Sequence, residues 1–151
     1  SVQSTGRWTI SGLLPGKYGV RAFNGFEYTE TQEVDLQEGE VRDVGFVFDP
    51  LPEVSVFAFP NPAHERVTFR FMSALSPLEA QIRIFDIAGV LVREFTGAEM
   101  TSPSAGLYHA VWNLNNDRGE DVASGVYIFI VKVRGANGQS AKVTKKLAIV
   151  R

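Results

Sequence analysis

The chain has 151 residues, of which 44% are hydrophobic and 21% charged, with a net charge of −2, 14 glycines, 7 prolines, two histidines and no cysteine. A packed core is affordable on these numbers, but a disulfide framework, a thiolate zinc site, an iron–sulfur cluster and a multi-histidine metal centre are excluded. A nucleic-acid binder driven by phosphate neutralisation is excluded too, because it needs a basic excess.

Apolar residues come in short alternating runs parted by glycine, proline, asparagine and aspartate, and no stretch keeps a helical i, i+3, i+4, i+7 pattern over three turns. Phenylalanine (11) far outnumbers methionine (2). Both features favour strands. In the first part, strands are predicted over 7–10, 17–23, 31–36 and 41–48. Leu13-Leu14-Pro15-Gly16 reads as a tight turn, with proline presetting φ and glycine free to take positive φ. Asn24-Gly25 and Glu38-Gly39 read as further turns.

Asp49-Pro50-Leu51-Pro52-Glu53 breaks the pattern, since two prolines deny ladder donors. The expected organisation is a domain over 1–49, a proline-rich linker over 50–53 and a second domain over 54–151. Seven strands are predicted in the second domain, over 55–59, 66–72, 80–86, 91–96, 106–113, 125–134 and 141–150. Val67, Phe69 and Phe71 alternate with Thr68 and Arg70, as Ile82 and Ile84 do with Gln81 and Arg83, so each strand buries one face. In the last strand Val143, Lys145, Leu147 and Ile149 share a face, opposite Thr144, Lys146, Ala148 and Val150. Val126 to Val131 is apolar on both faces, which fits a central strand or one whose outer face is covered by the first part. Seven antiparallel strands in about 100 residues is the size of an immunoglobulin-like sandwich. The longest apolar runs fall far short of the ~20 residues that span a bilayer. The opening Ser1-Val2-Gln3-Ser4-Thr5 carries no signal-peptide pattern.

Few residues suggest chemistry. His64 beside Glu65 reads as an exposed turn residue, and His109 as a packed or surface histidine in a strand. No Gly-x-Ser-x-Gly elbow is present, no acid–base pair stands out, and no cofactor is expected. The oxygen-rich run 113–121 offers Asn115, Asp117 and Asp121 as calcium candidates, although Arg118 stands where an EF-hand loop needs glycine. A structural Asx turn is the competing reading. Phe26 and Tyr28, beside Asn24-Gly25, are candidates for stacking on a carbohydrate, whereas Trp8 and Tyr18 alternate into the core. Lys142, Lys145, Lys146 and Arg151 make a modest basic C-terminus, whose plain reading is a solvated strand face.

Five segments, in order, carry a resemblance: Phe59-Pro60-Asn61-Pro62; the strand–turn–strand Ile84-Phe85-Asp86-Ile87-Ala88-Gly89-Val90-Leu91-Val92; Gly106-Leu107-Tyr108-His109-Ala110-Val111-Trp112-Asn113; Gly119 to Tyr127; and Lys146-Leu147-Ala148-Ile149-Val150-Arg151. Over residues 54–151 the series resembles the C-terminal sorting domain of the type IX (Por) secretion system and the related immunoglobulin-like module of flagellar hook-capping proteins. The long 112–125 segment looks more like the hook-capping type. The string Gly6-Arg7-Trp8-Thr9-Ile10-Ser11-Gly12-Leu13-Leu14-Pro15-Gly16-Lys17-Tyr18-Gly19-Val20 resembles the middle of a carboxypeptidase regulatory-like (prealbumin-like) domain. On that reading only the later half of such a domain is present.

The resemblance implies an all-β chain of two β-sandwich domains, the second a seven-stranded immunoglobulin-like sandwich and the first a partial prealbumin-like one. It implies a non-catalytic C-terminal region of a bacterial protein found outside the cell or on the outer-membrane surface. Its partners would be secretion machinery at the outer membrane, reading Lys145, Lys146 and Arg151, and upstream domains of the same polypeptide. A weak homodimer through an open sheet edge is a further expectation. A carbohydrate-binding accessory module of a secreted hydrolase and a structural assembly module of the hook-capping kind are the alternatives.

Overall fold

The computed structural model describes residues 7–23, 28–75, 78–136 and 138–151. The chain divides into two compact units, Ser1–Phe48 and Asp49–Arg151.

In the first unit, strands β1 (Gly16–Val20) and β2 (Gln32–Leu36) pair antiparallel, with Tyr18 opposite Val34. The Tyr18 hydroxyl donates to the Leu14 carbonyl at 2.7 Å and so closes the expected Leu-Leu-Pro-Gly turn. Strands predicted over 7–10 and 41–48 do not form among the described residues. A strand exists only through a partner's ladder, and 41–48 finds none; Val41 and Val47 stand in solvent. Trp8 instead packs by its ring near Phe46, with centroids 6.2 Å apart. The Asn24-Gly25 turn lies outside the described residues. No described residue of this unit is fully buried.

The second unit is a β-sandwich, and its seven expected strands all form. They are β3 (Phe57–Phe59), β4 (Val67–Met72), β5 (Leu78–Phe85), β6 (Leu91–Thr96), β8 (Leu107–Trp112), β9 (Gly125–Gly135) and β10 (Ser140–Ile149). An eighth, β7 (Thr101–Ser104), is added to the seven expected. All four of its residues are exposed and it contains Pro103, so it carries neither alternation nor a full set of donors. It joins the sheet only through a broken ladder, Thr101 to His109 and Ser104 to Leu107.

The two sheets run β10-β9-β5-β6 and β3-β4-β8-β7, with antiparallel neighbours throughout. Their inner faces form one core. Phe69 lies within 6.3 Å, ring to ring, of Phe95, Trp112 and Phe129. Val67, Phe71, Ile82, Ile84, Val131, Leu147 and Ile149 belong to it as well. Burial of this apolar area is the main force holding the sheets together. β9 is central, between β10 and β5, and its inner side chains Tyr127, Phe129 and Val131 are buried, whereas Val126, Ile128 and Ile130 on its other face are not.

Residues 50–53, expected as a linker, belong to the second unit. Leu51 is 2% exposed and part of the core. The Ser73 hydroxyl donates to the Pro50 carbonyl at 2.6 Å, and Ser55 donates to the Pro52 carbonyl at 2.7 Å. Prolines here remove ladder donors but leave carbonyls, and those carbonyls find hydroxyl partners.

Candidate functional site

The last six residues are held by three separate parts of the second unit. The first is the turn after β3, where the Phe59–Pro60 and Asn61–Pro62 peptide bonds are cis. The Asn61 side chain projects to β10 like a short extra strand. Its amide Nδ2 donates to the Lys146 carbonyl at 3.3 Å, and its oxygen accepts from the Ala148 amide at 2.9 Å. One carboxamide thus satisfies a donor and an acceptor that the sheet edge would otherwise leave to water.

Residues 63 and 64 form the second part. Ala63 makes a parallel bridge with Ile149, donating to the Ala148 carbonyl at 2.8 Å and accepting from the Val150 amide at 2.9 Å. Ala63 is fully buried, and its small side chain allows this approach. His64 Nδ1 lies 2.8 Å from the Val150 carbonyl oxygen. A carbonyl only accepts, so the imidazole carries its proton on Nδ1. The histidine expected as a plain turn residue is therefore a tether for the terminus.

The third part is the loop between β8 and β9. The Arg151 backbone amide donates to Ser124 Oγ at 2.9 Å. Its guanidinium donates to the Leu114 carbonyl at 2.8 Å and reaches Asp121 at 3.3 Å. Leu114 has φ of 58°, in the left-handed region that costs a branched side chain about 1 kcal/mol or more. Complete burial of its side chain offsets that strain. The Trp112 indole fixes the same loop by donating to the Asn115 carbonyl at 2.7 Å.

The cations expected to meet a partner have different fates. Lys145 lies on the core side of β10 with Leu147, and its Nζ donates to the Glu53 carbonyl at 2.9 Å. The Arg151 guanidinium is committed to Leu114 and Asp121. Lys146 is exposed on the opposite face of β10. β6, the other edge of this sheet, repeats the inward cation. Arg93 stands opposite Ile84, lies over the Phe95 ring at 4.6 Å, and pairs with Asp117 at 2.8 Å and Glu99 at 2.6 Å. The Asp117 hydrogen bond foremost, aided by the charge of Glu99, raises the Arg93 pKa against the effect of burial. An inward charge on an edge strand discourages another strand from adding there. Alternation signals the inward aim of Lys145, which shares the face of Val143 and Leu147, but no such pattern marks Arg93 in the sequence.

Of the three calcium candidates, Asn115 and Asp121 are brought together through the backbone, and both aspartates are taken by arginines. Asp117 faces Arg93, Asp121 faces Arg151, and Asn115 bridges Asp121 through the backbone. Among the described residues no three His, Cys, Asp or Glu residues gather to hold a metal ion. The loop is shaped by Asn116, whose side-chain oxygen accepts from the amides of Arg118 and Glu120 at 2.9 and 3.0 Å, an Asx turn. Of the carbohydrate candidates, Phe26 lies outside the described residues. Tyr28 is 56% exposed but stacks on Phe23 at 4.5 Å and has the Arg21 guanidinium 4.0 Å over its ring. His109 sits on β8 opposite Arg70, with its Nε2 buried and without a hydrogen-bond partner among the described residues.

Burial raises the Tyr127 pKa first of all, and the charge of Asp86 adds to this while that of Arg151 opposes it. Its hydroxyl donates to the Ala123 carbonyl at 2.8 Å, just beside Ser124. No helix among the described residues is long and apolar enough to cross a membrane.

Residues 57–150 match the model of a protein family described as the secretion system C-terminal sorting domain. No curated protein sequence matches the chain. Among solved structures, the chain is similar to dimeric latent PorU from Porphyromonas gingivalis, at 25% identity and a TM-score of 0.56 over 95% of this chain. It also shares its fold with the cell-surface-expressed multi-modular chitinase ChiW from Paenibacillus sp. str. FPU-7, at 18% identity and a TM-score of 0.50 over 74% of this chain. The chain spans 13% of the PorU chain and 9% of the chitinase chain.

Proposed function

The chain belongs to the family of secretion system C-terminal sorting domains, and from that premise we propose that it directs the type IX export of the polypeptide carrying it and its retention at the cell surface. Its compartment is the cell exterior or the outer-membrane surface. The observation that supports the reading most is the terminal segment itself. Residues 146–151 are presented as a fixed strand end, held by Asn61, Ala63, His64, Leu114, Asp121 and Ser124, rather than as a loose tail. A receptor that reads a preorganised surface avoids the ordering entropy a disordered signal would cost.

On this reading the chain does no chemistry of its own. The first unit is the later part of a carboxypeptidase regulatory-like domain and acts as a spacer to an upstream module. The turn at 13–16, closed by the Tyr18 hydroxyl on the Leu14 carbonyl within the string that carries the resemblance, supports that assignment. Lys146, exposed on β10 while Lys145 bonds to Glu53 and Arg151 to Leu114 and Asp121, is the contact residue.

A reporter fused ahead of the full chain tests the proposal in a host with an active type IX system. Fractionation is expected to find the reporter outside the cell or on its surface. Retention in the periplasm, while the host's own cargo is exported, refutes it.

A further inference from the structure

The outer face of the β10-β9-β5-β6 sheet has an order that folding does not require. Successive rows across the sheet follow from the registers. Near the β9–β10 hairpin, Lys142 on β10 stands directly opposite Lys132 on β9, and Arg134 follows Lys132 on β9. At the far end, Ile128 is flanked by Phe85 and then Leu91, with Val126 beyond. Lys146, opposite Ile128, marks the border between the two ends.

The charges at the first end are unbalanced. The side chains of Lys132, Arg134, Lys142 and Lys146 make no ion pair among the described residues. The carboxylates on this face are Glu79 and Glu94, and Glu94 is bound by Arg83 at 2.7 Å. Like charges directly opposite across a ladder destabilise it. Elsewhere the chain avoids such conflict: Arg93 and Arg151 each have a carboxylate. Overall the chain is acidic by two charges, so the basic concentration on this face is local. The second end is unusual in the other direction, because Val126 is 46% and Leu91 44% exposed on a face that charged residues would normally solvate.

We infer that this face is a docking surface for a protein segment that is acidic at one end and apolar at the other. An anionic partner relieves the Lys132–Lys142 repulsion, and its apolar half covers Val126, Ile128 and Leu91. A bare polyanion satisfies only the first end, so the paired apolar end selects a protein segment over a polyanion. The inference rests on the sorting reading for its biological setting and extends it from Lys146, at the border of this face, to the rows on either side of it.

The test uses the full chain and a labelled peptide that joins a glutamate-rich half to a valine-rich half. Binding followed by anisotropy is expected to weaken with salt, and the Lys132→Glu/Lys142→Glu variant is expected to bind about tenfold more weakly. The double glutamate variant keeps a like-charged pair across the ladder, so its melting temperature should stay near the parent's, whereas Lys132→Gln/Lys142→Gln removes the repulsion and should melt at or above the parent with an intermediate affinity. Equal binding by parent and variants overturns the inference, as does tighter binding to heparin or polyglutamate than to the two-part peptide. In the exported fusion, the Lys132→Glu/Lys142→Glu variant should remain in the periplasm. A folded variant that is exported as well as its parent overturns the inference and leaves the sorting reading standing. A parent that is itself retained defeats the sorting reading, and the peptide titration then decides the docking face by itself.

Discussion

Replacing Asn61 by alanine removes the carboxamide that pairs with β10, and the structure gives the size of the effect. Two hydrogen bonds are lost, one of 2.9 Å from the Ala148 amide and a weaker one of 3.3 Å to the Lys146 carbonyl. Both lie at an exposed site, so water re-solvates the freed backbone groups and each bond is worth about 0.5–1.5 kcal/mol net. Discounting the longer bond, the loss is about 1.5 kcal/mol. For a unit of about 100 residues this lowers the melting temperature by roughly 6–12 °C, at about 4–8 °C per kcal/mol. Asn61→Asp provides the internal comparison, because a carboxylate still accepts from the Ala148 amide but sets a charged oxygen against the Lys146 carbonyl, so stability should still fall while the Ala148 amide keeps its protection. Calorimetry gives the shift, and amide hydrogen exchange locates it: the Ala148 amide should lose protection in Asn61→Ala. Unchanged melting together with unchanged Ala148 exchange refutes the claim that this turn holds the terminal strand.

Other outcomes follow from the same structure. Phe69→Ala, at the meeting point of three aromatic rings, should cost about 3–5 kcal/mol and remove much of the stability of the second unit in urea titration; a loss under about 1 kcal/mol would contradict the packing described. Lys145→Val should change stability by no more than about 1 kcal/mol yet produce concentration-dependent association in light scattering, because the inward charge guarding the β10 edge is gone; a variant that stays monomeric at high concentration contradicts that role. Tyr127 has a raised folded pKa, so its contribution is fully present below the unfolded value of about 10 and is lost as pH rises beyond it. Melting temperature should therefore fall above that pH, and less steeply in Tyr127→Phe; parallel curves would remove the assignment. Calcium and chelator should give the same melting curve, since Asp117 and Asp121 already face arginines; a rise with calcium would show that the 113–121 loop holds the ion after all.

Much of the sandwich was legible because alternation has a direct physical cause. Val67, Phe69 and Phe71 face the core as their spacing requires, and the two-sided apolar run 126–131 marks the central β9. What was not legible depended on partners distant in sequence. Asn61 stands in a proline turn whose local sequence names no distant partner, yet it bonds residues 85 and 87 positions away. Prolines made 50–53 look like a linker, whereas Leu51 enters the core and Pro50 and Pro52 contribute carbonyls. β7 has no alternation to read, and the apolar run 41–48 lacks a ladder to join. Of the terminal cations, composition shows the charge but not its aim; Lys145 points inward and Arg151 is tied to the 114–121 loop.

Export itself is the most direct measurement of the central claim that a folded surface is the signal. A reporter carrying the full chain should reach the cell exterior in a host with an active type IX system, while the same fusion bearing Phe69→Ala should remain in the periplasm as intact protein. Retention of the parent fusion, or export of the core-disrupted variant at the parent's level, would contradict the account, the latter by showing that an unstructured tail suffices.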